Sequence, residues 1–152
     1  MIPLSKLDPL QRQLIVEARE ARKRAYAPYS GFKVGAALRS RSGAVFRGCN
    51  VENISFGAGI CAERGAILRA VAEGLRPGQL QSVAVYTIAE SATPPCGMCL
   101  QVLQEFGENP EVLLGNPRGV RVLNLRDLLP LPFSPFVGVP EIGRSSRPSR
   151  KR

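Results

Sequence analysis

The order in which apolar periodicity switches between about 3.6 and about 2 residues constrains this chain more than any other feature. Asp8 is followed by Pro9 and, three residues on, by Gln11, the signature of a helix N-cap, a first-turn proline and a capping box. Leu10, Leu14, Ile15, Ala18, Ala21 and Ala25 then recur at helical spacing, and the helix is expected to end before Pro28. Residues 32–38 and 44–49 read as two strands about the turn 40–43. A loop marked by Gly57 and Gly59 leads into helical spacing over 61–73, which Gly74 terminates. The apolar, β-branched run 80–88 reads as a buried strand, and after the loop 89–95 a second short helix, 96–106, closes at Gly107. Residues 112–114 and 120–125 predict two further strands, and 126–129 a last helical turn. The succession α-β-β-α-β-α-β-β predicts an α/β fold, a three-layer α-β-α sandwich around a five-stranded mixed sheet.

Length and charge narrow the rest. The 152 residues suffice for one domain with a single sizeable core. No apolar run approaches the roughly 20 residues that a membrane helix requires. The most apolar late stretch, 128–139, is broken by Pro130, Pro132 and Pro135. The start, Met1-Ile-Pro-Leu-Ser-Lys, lacks the layout of a secretory signal, so a cytoplasmic chain without a membrane partner is expected. The net charge of +9 invites a nucleic-acid reading, but Arg144, Arg147, Arg150, Lys151 and Arg152 crowd five positive charges into the last ten residues. Residues 1–142 hold 16 basic against 12 acidic side chains, a mild excess. Residues 1–136 are expected to form the folded domain, and 137–152 a basic Pro/Ser/Arg-rich tail whose composition predicts disorder. With no Trp and only nine Phe and Tyr, no basic face interleaved with aromatics is visible, so nucleic acid is not the expected partner.

The cysteines carry more information. They lie at 49, 61, 96 and 99, and the chain has no histidine, which excludes Ser-His and Cys-His catalysis and any imidazole-built zinc site. Cys61 and the pair Cys96/Cys99 fall at the starts of two expected helices, where partial positive charge and unpaired N–H groups favour thiolate over thiol. Two such starts side by side could present three thiolates to one Zn²⁺ and leave the fourth tetrahedral position for water, the catalytic pattern. Glu63, two residues after Cys61, could lie over that water, and a carboxylate beside a zinc-activated water is a hydrolytic pair.

Cys61-Ala62-Glu63, followed 34 residues after Cys61 by Pro95-Cys96-Gly97-Met98-Cys99, resembles the C/H-x-E…P-C-x-x-C pattern of zinc nucleobase deaminases. Tyr29-Ser30-Gly31-Phe32-Lys33-Val34-Gly35-Ala36-Ala37-Leu38, Gly48-Cys49-Asn50-Val51-Glu52-Asn53 and Cys61-Ala62-Glu63-Arg64 resemble the small cytidine deaminases, as does the late Leu128-Leu129-Pro130-Leu131-Pro132-Phe133. The resemblance spans roughly residues 8–136 and implies a cytidine deaminase-like catalytic domain. It implies one Zn²⁺ per chain held by Cys61, Cys96 and Cys99, with Glu63 as the proton shuttle and Arg64 donating to thiolate sulfur. Asn50 and Glu52 would bind the ribose hydroxyl, Phe32 would pack against the nucleoside, and the Ala62 backbone N–H would meet the base carbonyl. Phe133 would reach into a neighbouring subunit's site, so the partners implied are a nucleoside substrate and further copies of the chain in a homotetramer. The implied reaction converts cytidine and deoxycytidine to uridine and deoxyuridine with release of ammonia, a step of pyrimidine salvage.

Three positions depart from the family pattern. Leu100 stands where an Arg commonly follows the second cysteine of the pair, Met98 where a small residue is usual, and Phe56 where Tyr is common. Other readings remain open from the residues alone. The Cys96/Cys99 pair could serve redox chemistry, although Cys61 and Glu63 then have no role. Cys49 could complete a structural four-cysteine zinc site. Asn50 and Glu52 could be ordinary polar residues at a strand end, Phe32 and Phe133 core residues, and Arg64 a helix-surface cation. A related deaminase acting on a modified cytosine nucleoside or a nucleoside antibiotic is a second enzymatic reading, against whose antibiotic form Asn50 and Glu52 argue. A non-catalytic zinc or nucleic-acid-binding module is a third.

Overall fold

The computed structural model describes residues 1–133. The expected domain boundary at 136 and the expected tail, 137–152, lie outside the described residues.

The capping box at Asp8 forms as its sequence predicts. Its carboxylate accepts the backbone N–H of Leu10 (2.9 Å) and Gln11 (3.0 Å), while the Gln11 side chain accepts the Asp8 N–H (3.3 Å). The helix it opens, α1 (Pro9–Arg22), buries Leu14, Ile15, Ala18 and Ala21. It stops well short of Pro28, because the backbone of Tyr26 is taken up elsewhere: its N–H donates to Asn50 O (3.0 Å) and its carbonyl accepts from Glu52 N (2.8 Å).

Five strands follow in the expected number: β1 (Gly35–Ser40), β2 (Val45–Cys49), β3 (Leu80–Tyr86), β4 (Glu111–Asn116) and β5 (Gly119–Asn124). They form one sheet in the order β2-β1-β3-β4-β5, antiparallel throughout except for the parallel pair β3–β4. The helices between strands are α2 (Ala62–Ala72) and α3 (Gly97–Phe106), and a short α4 (Leu125–Leu128) follows the last strand. Side chains alternate across the pleat with period two. Ala36, Leu38, Val83, Val85, Val112 and Leu114 join the core under α2 and α3, while Ala37, Ala84, Tyr86, Leu113 and Val120 meet Leu14, Ile15 and Ala18 of α1. The result is the expected three-layer sandwich, with a mixed sheet between one helix and three. No helix among the described residues is long and apolar enough to cross a membrane.

Strand β1 begins at Gly35 rather than at residue 32. The polar groups of residues 32–34 are occupied by a side chain instead of a ladder: Asn50 Oδ1 accepts Val34 N–H (2.8 Å) and Asn50 Nδ2 donates to Phe32 O (2.9 Å). At its other end β1 runs two residues past the expected Leu38.

Two glycines set how closely the layers approach. A Cβ at Gly35 would stand 2.0 Å from Ala18 O of α1, and one at Gly48 would stand 2.3 Å from Ala66 N and 2.4 Å from Ala62 O of α2. Only a residue without a side chain lets helix backbone ride this near to a strand. Gly48 therefore seats the helix that carries Ala62, Glu63 and Arg64.

Candidate metal and nucleoside site

Cys61 and Cys96 are the N-caps of α2 and α3, both with extended backbone, and Cys99 lies in the first turn of α3. Each is held from a different part of the fold. Ile60 and Val51 exchange two backbone hydrogen bonds of 2.9 Å, which fixes the residue before Cys61 against the segment leaving β2. The loop before Cys96 is tied to the end of β4, where the buried amide of Asn116 donates to Ala89 O (3.0 Å) and Glu90 O (3.2 Å). α2 packs on α3, and the two helix starts meet.

The three sulfurs all lie within 4.8 Å of one another, with Cys61 Sγ 3.8 Å from Cys96 Sγ. A tetrahedral zinc with Zn–S bonds of about 2.3 Å requires sulfur separations of about 3.8 Å, so the donor set fits that ion. Cys49, half-buried at the end of β2, does not join the group, which leaves the four-cysteine site without its fourth ligand among the described residues. We expect Cys96→Ser to fall from about one zinc per chain to near none, while Cys49→Ser keeps its zinc, as metal analysis of the purified variants will show.

Glu63 is buried on the first turn of α2, only 4% exposed. Burial pushes its carboxyl above the ordinary range, against the pull of its own backbone N–H, the Cys99 thiol and the Arg64 guanidinium. Arg64 Nη2 lies 3.8 Å from Cys61 Sγ and 3.4 Å from Gly59 O, and its Nε is buried without a hydrogen-bond partner. Burial pushes the Cys61 thiol up, and the Arg64 contact opposes it. Burial also drives Cys99 up strongly, reinforced by Glu63 and the neighbouring sulfurs. For Cys96 burial is outweighed by the Cys99 backbone N–H and the adjacent thiols, which hold it below its ordinary value. Three thiols and one carboxyl crowded around one point, with one guanidinium beside them, make a locus that suits a divalent cation.

Asn50 and Glu52 both grip the segment 29–34. Glu52 accepts the Tyr29 N–H (2.9 Å), the Ser30 N–H (3.2 Å) and the Ser30 hydroxyl. The Ser30 hydroxyl, then those two N–H groups, hold the Glu52 carboxyl below the usual carboxylate range. Ser30 Oγ also accepts the Phe32 N–H (3.0 Å), so Phe32, 42% exposed, is fixed beside these two polar groups. Tyr29, Ser30, Glu52, Asn53, Phe56 and Gly59 line a cleft of about 340 Å³, with Phe56 edge-on to Tyr29 at 6.1 Å between ring centres. Phe32, Asn50 and Phe133 do not line it.

Of the three departures, Leu100 is buried in the core under α2 and α3, Met98 is exposed on the first turn of α3, and Phe56 is exposed at the cleft. Phe133, also exposed, is held on α3 by Gln101. Sequence reasoning did not single out Ser30, Asn116 or Gln101. Each bonds across a gap of 22 to 32 residues, which no local pattern marks.

Three convergent thiols that could hold one metal ion, with a buried carboxyl beside them that is not one of the three, suit a metal-dependent hydrolase. The profile of the cytidine and deoxycytidylate deaminase zinc-binding region matches residues 9–115, and the chain belongs to that family. Zinc is accordingly its metal. The cytidine deaminase of Halalkalibacterium halodurans is 43% identical over 126 residues, covering 82% of this chain and 94% of that protein. The cytidine deaminase of Mycobacterium tuberculosis is 41% identical, covering 86% and 91%. Among solved structures, the cytidine deaminase of Burkholderia pseudomallei superposes with a TM-score of 0.77 at 50% identity, covering 80% of this chain and 97% of its own.

Proposed function

We propose that this protein deaminates cytidine and deoxycytidine hydrolytically, consuming one water and releasing uridine or deoxyuridine with one ammonia. The observation that carries this reading is the buried Glu63 carboxyl on the first turn of the helix that Cys61 caps, beside the three convergent sulfurs but not one of them. Cys61, Cys96 and Cys99 hold the zinc, and Arg64 offsets their charge from beside Cys61. Bound zinc supplies Lewis-acid activation of the attacking water. Glu63 takes one proton from the attacking water and delivers it to N3 of the cytosine ring. It then takes the remaining proton of the new C4 hydroxyl and gives it to the amine, so that the C4–N bond breaks as the C4 carbonyl forms and ammonia leaves. Ala62 opens α2, where backbone N–H groups have no intrahelical acceptor, and its N–H donates to the base carbonyl.

Asn50 and Glu52 bind the ribose hydroxyl, and Phe32, fixed by Ser30 and Asn50, packs on the nucleoside. A carboxylate at the sugar suits a nucleoside and repels a phosphate. The active form is a homotetramer in which Phe133 of one subunit completes the nucleoside site of another, consistent with the exposure of Phe133, Leu131 and Phe56 in the single chain. Residues 1–136 form the catalytic domain and 137–152 a basic tail. All four cysteines are free, which suits a reducing cytoplasm.

The test is to incubate zinc-loaded protein with cytidine and follow ultraviolet absorbance, uridine and ammonia. The expected result is one uridine and one ammonia per cytidine lost. No turnover by protein that carries its zinc overturns the reading.

A further inference from the structure

After α4 the chain runs Leu129-Pro130-Leu131-Pro132-Phe133. Two of these residues lack a backbone N–H, so the segment cannot continue a helix or build a ladder of its own. At Phe133 it is met by a side chain of α3. Gln101 Nε2 donates to Phe133 O at 2.8 Å, and Gln101 Oε1 accepts Phe133 N–H at 2.9 Å. The carboxamide thus imitates a neighbouring strand at a single residue, satisfying donor and acceptor together. Both distances are those of well-formed bonds.

Gln101 sits on α3 two residues after Cys99, about 200° round the helix from it. Cys99 faces the buried core while Gln101 faces the C-terminal segment. The same rigid helix therefore carries metal-binding thiols on one side and the mount of Phe133 on another. The Phe133 ring is left 71% exposed, projecting from a backbone that is held at both polar groups.

We infer that Gln101 is a positioning residue, whose two-point hold on Phe133 aims that ring at the nucleoside site of an adjacent subunit and couples the aim to the metal-bearing helix. This rests on the proposed role of Phe133 as a contact to the nucleoside. Gln101 touches neither substrate nor metal and acts through Phe133 alone. A ring fixed before binding adds contact without the cost of ordering a loose segment, so its effect falls on substrate binding rather than on the chemical step.

The experiment compares zinc-loaded wild type, Gln101→Met, Phe133→Ala and the double variant for kcat and KM with cytidine. Amide hydrogen exchange at Phe133 is read in wild type and Gln101→Met. Met keeps the length and bulk of Gln and removes both hydrogen bonds. With both hydrogen bonds lost, Gln101→Met is expected to raise KM about tenfold, with kcat and zinc content unchanged. It is also expected to speed exchange of the Phe133 amide. The double variant is expected to match Phe133→Ala, because a residue that acts only through the ring has nothing left to position. Full additivity of the two changes overturns the inference, as does a Phe133 amide that stays protected in Gln101→Met. A raised KM in Phe133→Ala with none in Gln101→Met overturns the positioning role and spares the role of Phe133. Unchanged KM in Phe133→Ala removes the role of Phe133 and the inference with it.

Discussion

Glu63→Gln is expected to retain its zinc while kcat for cytidine falls by about 10⁴-fold, the upper range for a lost general acid–base group. The substitution keeps shape and volume at a site only 4% exposed, so the sulfurs 61, 96 and 99 keep their separation. A neutral amide can neither take a proton from water nor return one to the base, and no other carboxyl is buried among the described residues. Burial already disfavours the ionised carboxylate there, so the metal-free variant is expected to melt no lower than wild type. Zinc content, steady-state kinetics and thermal melting of the two proteins together check the result. A fall of less than tenfold in kcat with zinc retained would falsify the proton-shuttle role.

The second large effect lies away from any reacting group. Gly48→Ala places a methyl group 2.3 Å from Ala66 N, 2.4 Å from Ala62 O and 2.9 Å from Ala66 Cα. All three atoms are helix backbone, so no side chain can swing aside and α2 must move off β2. Overpacking of this severity is expected to cost about 3 kcal/mol, or roughly 10 °C in melting temperature for a domain of this size. Because α2 starts at the Cys61 cap, the shift also misplaces one sulfur and Glu63 relative to α3, and zinc affinity falls with stability. Gly65→Ala, on the same helix, is the control. Its nearest contact would be Cys49 O at 3.3 Å, which a few tenths of an ångström relieve, while Ala gains about 1 kcal/mol of helix propensity over Gly. That variant is expected to remain within about 1 kcal/mol of wild type in either direction. Thermal melting with and without zinc separates the two cases.

These two sites also show which parts of the molecule are written locally. The cap at Asp8, the five strand segments and the placement of Cys61 and Cys96 at helix starts are all legible in the sequence. Each depends on residues within about one helical turn or on a simple alternation. The offset of Glu63 from Cys61 is legible for the same reason. Element ends are less so: the start of β1 moved from residue 32 to Gly35 because Asn50, sixteen residues beyond Val34, took over the backbone that a ladder would have used. Likewise, the pairing of Glu52 with Ser30 and of Gln101 with Phe133 has no local mark, because each joins segments that only the folded layers bring together.

The burial of Glu63 and the 3.8 Å between Cys61 and Cys96 Sγ belong to the same class. Motif spacing names these residues, but how near they come is set by the seating of α2 on Gly48 and by the tie from Asn116 to the loop before α3. Caps, periodicity and residue chemistry act over one turn of chain and can be read along it. Sulfur separation, carboxyl desolvation and the aim of an aromatic ring are properties of non-local packing, and only the assembled sandwich decides them.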